Sequence, residues 1–491
     1  MMKMKPMTAV YKAVDFTLRT QSKHITKKKK ASPIKKAGFV APPKAKGNRF
    51  LLGFSKESIL PNDVDKKKYY IAGYGENKPA KGVLDAPHTH AVWIDDISGK
   101  GGMVLVSIDN VGMLNKDVNR LRARLHDFAM LTGCRSINIV STHSHAGIDT
   151  MGIWGPLPLS GKDPKYMELV FSQTVKAVKD AYANRKLGRL WLGKTEVPDM
   201  QEDIRTPIVY SKTLTRLRFE PDDGSTQTYI INFASHSESL QGCNERISAD
   251  FPHYLREKIK EETGAQTLYC VGAIGGMISM DIPNEKEIRD NGSDFAESTA
   301  NIGVKLAEYA LSINEETELK PQIGTLRQEV YFKAENTILM LAAKAGILEA
   351  DEYRMPDGSG SVMKSEISYI EIDSLKILLL PCEIFPELVY GGYLSAEESA
   401  TGCGAEINPT PLKEIVGDDV MIIGLANDEL GYVLPPNDFI LHDETPYFEN
   451  GHDIHGRRHY EETNSLGPKT AERIAQTVKE IINTVEKAKN M

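Results

Sequence analysis

Ile137-Asn138-Ile139-Val140-Ser141-Thr142-His143-Ser144-His145-Ala146-Gly147-Ile148-Asp149-Thr150 decides how the rest of the chain is read. The apolar run predicts a strand, and it empties into two histidines, a glycine and an aspartate. Strand, polar residues, then glycine is how an α/β protein delivers reactive groups to the carboxyl edge of its sheet. Two histidines one residue apart point the same way if the backbone stays extended. Imidazole is the commonest metal ligand and the usual proton carrier near neutral pH. Two readings follow: a metal site in which one ring binds while the other moves protons, or two loop histidines with ordinary hydrogen-bond partners.

Working outward, residues 89–95 and 103–109 read as neighbouring strands around the turn Ser98-Gly99-Lys100-Gly101-Gly102. Helical spacing from Leu114 to Leu131 stops at Gly133, and strand 136–141 follows. Strand–helix–strand is the unit of a parallel sheet. Further helices are expected at 164–186, 250–263, 295–311, 384–398 and 468–488. Strands are expected at 189–197, 213–219, 227–234, 267–272, 323–333, 366–372, 375–380 and 420–425. The fold class is therefore α/β, with mixed β-sheets flanked by helices in a single large domain over residues 49–491. Residues 1–48 hold Lys27-Lys28-Lys29-Lys30 and one acid, Asp15, and read as a disordered basic tail.

Composition narrows the function classes. A net charge of −7 gives no global case for nucleic-acid binding. No apolar run reaches the roughly 18 residues of a membrane span, so no transmembrane segment is expected. Five scattered cysteines, Cys134, Cys243, Cys270, Cys382 and Cys403, without a Cys-x-x-Cys pair, speak against a disulfide framework and a thiolate zinc site. A reducing compartment and, without a recognisable secretory signal, a cytoplasmic location are expected.

The strand-and-loop pattern recurs. Strand 227–234 runs into Ser235-His236-Ser237-Glu238-Ser239, strand 375–380 into Pro381-Cys382-Glu383, and strand 420–425 into Ala426-Asn427-Asp428-Glu429-Leu430-Gly431-Tyr432. Histidine nitrogen and carboxylate oxygen suit Zn²⁺, and catalytic zinc keeps one position for water. Spacing alone leaves open a zinc hydrolase or satisfied core histidines with Glu383 as a helix cap.

The ordered set of motifs is similar to neutral/alkaline non-lysosomal ceramidases. Ser141 to Gly147 resembles that family's first histidine motif, and Phe233 to Ser239 its second. Ile247-Ser248-Ala249-Asp250-Phe251-Pro252, Gly275-Gly276-Met277-Ile278-Ser279, Pro381-Cys382-Glu383 and the Asn427 to Tyr432 spacing follow in order. Gly82-Val83-Leu84-Asp85 and Ser107 to Gly112 lie upstream, and Tyr460-Glu461 and Gly467-Pro468 downstream. The resemblance implies a zinc-dependent amidase that cleaves the N-acyl amide of ceramide or a related small-molecule or lipid substrate. It implies His143, His236, Glu383 and Tyr432 as zinc ligands and His145 as the proton-transferring residue. Ser279 would be a nucleophile or a substrate-side group, and Tyr460 part of the pocket wall. The chain ends soon after Gly467-Pro468, which implies a short form without the family's C-terminal immunoglobulin-like domain. His90 stands where the family often has arginine, and His88 and His90 form another His-x-His pair, read as strand histidines or a second metal site. A non-lipid amide or ester hydrolase on the same site is the alternative, and a binding protein without turnover is the third reading. Oligomeric state is not encoded in any of these features.

Overall fold

The computed structural model describes residues 8, 11–13, 16, 30–42, 44, 45, 47–350, 352–355 and 360–490. Twelve principal strands form two sheets. The first contains β1 (Phe50–Ser58), β2 (His88–Asp95), β3 (Met103–Ile108), β4 (Ser136–Ser141), β5 (Lys186–Glu196), β6 (Thr213–Pro221), β7 (Thr228–Phe233) and β8 (Gln266–Val271). Their spatial order is β8-β7-β6-β5-β1-β2-β3-β4, and Glu316–Leu319 adds a ninth strand beside β5. The pairs β3–β4 and β7–β8 are parallel and the others antiparallel, so the sheet is mixed, as expected. The second sheet runs β9 (Ile323–Lys333), β10 (Ser361–Ile372), β11 (Leu375–Leu379) and β12 (Met421–Ile423), with Glu352–Arg354 beside β10.

The sheets pack face to face. Phe54, Val92, Leu190, Phe219, Ile230 and Leu268 of the first meet Ile370, Ile372, Ile377, Leu379 and Ile423 of the second in one buried cluster. Helices α1 (Asn115–Arg124), α2 (His126–Thr132), α3 (Pro164–Ala183), α4 (Phe251–Thr263), α5 (Ala296–Leu311), α6 (Thr337–Lys344), α7 (Pro386–Tyr390) and α8 (Thr470–Lys489) complete the chain's main elements. Clusters under α1 and α3, and under α4 and α5, back the first sheet, while residues of α7 and α8 back the second. Helices, sheet, sheet, helices is the only order that buries both faces of both sheets. The sequence signals are local and clear. Asp163 caps α3 by accepting from Lys165 N and Tyr166 N, Pro164 fills its first turn, and Tyr166, Val170, Ala177 and Ala181 line its buried face.

Two helices differ from expectation. The stretch from Leu114 to Leu131 divides at Leu125, whose N–H is shared between Leu121 O and Arg122 O, both at 3.1 Å, so the turn tightens there. The helix expected over 384–398 ends at Tyr390, because Gly391 and Gly392 take φ of 82° and 89° and turn the chain away. Most of the tail expected to be disordered lies outside the described residues. Of its described residues, 35–40 run along β9: Ala37 N donates to Gln328 Oε1 at 2.9 Å, and Val40 and Thr325 exchange backbone hydrogen bonds at 2.9 and 3.2 Å, which covers the edge of the second sheet. Among the described residues no helix is long and apolar enough to cross a membrane.

Candidate metal centre

The site forms where the carboxyl ends of β4 and β7 meet. His145 N donates to Ser237 O at 2.9 Å and Ser237 Oγ to Thr142 O at 2.7 Å, so the two histidine loops are stitched together. The loop after β12 closes a third side: Ser141 N donates to Leu425 O, and Asn427 exchanges bonds with Ile139 at 2.7 and 2.9 Å. Asn427 sits at φ 65°, a conformation asparagine tolerates. Glu383 then pairs with Tyr432 in a short parallel bridge, Glu383–Ile384 against Tyr432–Val433. Residues far apart in the chain thus share one edge.

The extended backbone assumed for His143 is absent: its φ is 61°. The two rings nonetheless face each other, with centroids 4.6 Å apart and Nε2 atoms 3.1 Å apart. His236 joins them, its ring centroid 4.9 Å from that of His143. Glu383 Oε2 lies 2.9 Å from His236 Nε2 and 3.4 Å from His143 Nε2. All four side chains are buried. The candidate ligand nitrogens of His143, His145 and His236 lie within 4.8 Å of one another.

The far ring nitrogens fix which way the near ones point. His143 Nδ1 faces Val111 O at 2.6 Å and His236 Nδ1 faces Ile278 O at 2.8 Å. A carbonyl only accepts, so both Nδ1 atoms carry hydrogen and each ring turns its Nε2 into the cluster. Converging ring nitrogens and a carboxylate need a positive charge between them, and this is how metal-binding histidines are held. The titration behaviour agrees. Burial works against the His236 imidazolium, yet its hydrogen bond to Glu383 and the charge of Glu238 push it up to about 9. Burial would raise Glu383, but His143 and His236 hold it well below the usual carboxylate range. A proton there takes the place that a cation would fill, and the nitrogen and oxygen donors fit a zinc ion.

His145 is set apart by its other nitrogen, which lies 3.2 Å from Glu238 Oε2 rather than against a carbonyl. Burial lowers its pKa and Glu238 offsets part of the shift. Tyr432 lies beside Glu383 through the β-bridge, and its hydroxyl donates to Met277 Sδ at 3.3 Å; burial and Glu383 push its pKa up. Ser279 Oγ donates to Glu238 Oε1. Tyr460 is half exposed and lines the adjoining cavity, where its ring meets Tyr432. His88 and His90 lie on β2, with ring centroids 5.8 Å apart, and are not part of the histidine cluster. Sequence reasoning passed over Glu238 and Tyr74, although Glu238 sits inside the second histidine segment, two residues from His236.

A cavity of about 540 Å³ opens onto His143, His145, Glu383 and Tyr432. Its wall is mostly apolar, with Leu114, Met151, Leu339, Ala342, Leu348 and Leu466. The other candidate cation group among the described residues, Asp438, Asp453 and His459, is already neutralised. Arg205 reaches Asp438 at 2.9 Å and Arg457 reaches Asp453 at 2.6 Å.

Two solved ceramidases share this fold. The chain superposes on the crystal structure of neutral ceramidase from Pseudomonas aeruginosa with a TM-score of 0.66 and 17% identity, over 90% of this chain and 75% of that one. A ceramidase complexed with C2 gives a TM-score of 0.65 and 16% identity, over 90% and 76% of the two chains. No protein-family model and no curated protein matches the sequence.

Proposed function

We propose that the chain is a zinc-dependent amidohydrolase that cleaves the N-acyl amide of ceramide or a related lipid. The observation that carries this reading is the convergence of His143, His145, His236 and Glu383, the first two and Glu383 opening onto a mostly apolar cavity. The fold shared with two ceramidases supports it. His143, His236 and Glu383 would hold the metal, with Tyr432 completing the set from the paired strand. Zinc there would supply Lewis acidity, lowering the pKa of a water to about 7 and polarising an amide carbonyl.

The chain's own residues supply the rest. The apolar wall takes the acyl chain and keeps bulk water from the reacting bond. His145 accepts the proton of the attacking water and returns it to the departing nitrogen, a step an amide requires because its amine is a poor leaving group. Burial and the neighbouring rings, which lower its pKa, leave His145 neutral and able to accept. Ser279, bonded to Glu238, serves as a supporting donor rather than the attacking group. The five cysteines are free, which fits the cytoplasmic location that belongs to the same proposal and is checked by cell fractionation.

The test is hydrolysis of a fluorogenic ceramide beside short N-acyl amino acids and esters, with and without chelator. Zinc-dependent fatty-acid release from ceramide is expected. Release only from the short substrates would remove the sphingolipid assignment, and full activity after verified zinc removal would remove the metal.

A further inference from the structure

We propose that Asp149 is the positioning residue of a specificity loop, residues 149–161, which forms one wall of the cavity and discriminates among acyl chains by their length. The inference rests on the hydrolase reading above. It assigns a task to the aspartate that follows His143 and His145 in the sequence and is not part of the histidine cluster.

Asp149 is fully buried. Its Oδ1 accepts from Met151 N at 2.9 Å and from Gly152 N at 2.6 Å, and its Oδ2 accepts from Trp154 N at 3.0 Å. Three backbone N–H groups of an irregular loop are thus satisfied by one carboxylate. The ends of this turn are tied as well. Asp149 N donates to Tyr70 O at 2.9 Å, and Trp154 O accepts from Asn77 N at 3.0 Å. Beyond Trp154 the loop returns on itself: Gly161 N donates to Gly152 O at 3.0 Å. Gly161 sits so close to Asp149 Oδ2 and to the Gly155 backbone that no Cβ fits there. The path of the loop is therefore set by the carboxylate at its base.

The loop presents an apolar surface to the site. Met151, Ile153, Trp154 and Leu157 line the cavity that opens onto His143 and His145. Met151 shares a buried cluster with Leu348, and Trp154 packs against that cluster together with Leu339 and Ala342 of α6. Backbone contacts join the two sides. Ser160 Oγ donates to Ile347 O at 3.3 Å, and Gly152, at φ 109°, lies too near Ile347 O to carry a side chain. The spacing between the loop and the segment after α6 is thus fixed by main chain. Leu157, 55% exposed, is where this wall reaches solvent. An acetyl group is too short to use the wall, whereas a long acyl chain gains apolar contact along it.

The test uses zinc-loaded full-length protein and ceramides that differ only in the acyl group, from acetyl to palmitoyl, reading kcat/KM and zinc per chain. Asp149→Asn keeps the shape of the side chain but offers one acceptor oxygen instead of two, so a donor then faces a backbone N–H. The palmitoyl-to-acetyl ratio of kcat/KM should fall about 10- to 100-fold, the range that contacts in an apolar pocket supply, with zinc per chain unchanged. Trp154→Ala should lower the same ratio. Because Asp149 acts through the wall, the double variant should lose less than the product of the two single losses. Four results overturn the proposal: a ratio in Asp149→Asn within about threefold of wild type, equal losses on acetyl and palmitoyl substrates, zinc lost in step with activity, or losses that multiply in full in the double variant. If a thermal melt shows that Asp149→Asn does not fold, Gly161→Ala, whose methyl crowds Asp149 Oδ2, decides: a lowered ratio with zinc retained supports the role, and an unchanged ratio overturns it. A wild-type protein inert toward every N-acyl probe overturns the hydrolase reading. Binding of a fluorescent stearate then reads the wall directly: weaker binding by Asp149→Asn supports the role of Asp149, and equal binding overturns it as well. An active wild type whose ratio is indifferent to Asp149→Asn overturns this inference alone.

Discussion

Gly73→Ala should disable His145 without touching His143, His236 or Glu383. Gly73 has φ 100°, and a Cβ added there would lie 2.4 Å from His145 Cγ, 2.6 Å from its Cβ and 2.7 Å from its Nδ1. Carbon contacts settle at about 3.5–4.0 Å, so the new methyl overlaps the ring by about 1 Å. Backbone strain at positive φ adds roughly 1–2 kcal/mol. Either the loop carrying Gly73 or the imidazole must yield. His145 Nδ1 would then leave Glu238, and Nε2 would move by a distance of the same order. A misplacement of about 1 Å costs on the order of 100-fold in rate. The stability cost is small for so large a chain: about 2 cal/mol/K of unfolding entropy per residue turns 2–3 kcal/mol into a shift of roughly 2–3 °C. Three measurements on one preparation decide: kcat on a fluorogenic ceramide, zinc per chain by mass spectrometry, and the melting temperature. The expected result is a hundredfold fall in kcat with zinc retained and a small drop in melting temperature. A variant with kcat within about threefold of wild type would refute the placement of His145 against this loop and its part in the reaction.

Other outcomes are expected. His236→Ala should lose zinc and activity together, because it removes one imidazole and leaves Glu383 buried without its 2.9 Å partner; stoichiometric zinc in that variant would contradict the ligand set. Burial, helped by the nearby charge of Asp203, pushes the Glu387 carboxyl up to about 8 from an ordinary 4.5. The folded state then holds that proton more tightly than the unfolded chain, so the contribution of Glu387 to stability is greatest below about pH 4.5 and is lost as pH rises to about 8, by several kcal/mol at about 1.4 kcal/mol per unit. Glu387→Gln should flatten that part of the melting-temperature profile, and an unchanged slope would show that another group is responsible. Ala342→Phe on α6 should narrow the cavity and shift preference toward shorter acyl chains; an unaltered chain-length profile would place the chain elsewhere.

Elements were legible from sequence where their causes are local. The apolar run before His143, the cap and proline that start α3, and the spacing along α8 all act within a few residues. The same local reading carried the helix after Glu383 too far, because apolar spacing continued past Gly391 and Gly392 while the backbone turned there. His143, His145 and His236 stood out because each follows an apolar strand. Tyr432 did not. It entered through resemblance, and in the fold it stands beside Glu383 only because two short segments pair in parallel.

The sequence by itself determined the alternation of strands and helices, the loops that carry the histidines, and the type of chemistry those residues can perform. Only the tertiary structure decided that His143 and His236 carry hydrogen on Nδ1. For His143 and His236 that choice depends on carbonyls at Val111 and Ile278, brought to the rings by sheet pairing and loop packing across the chain. The physical reason is that hydrogen-bond partners act over about 3 Å, whatever their separation in sequence.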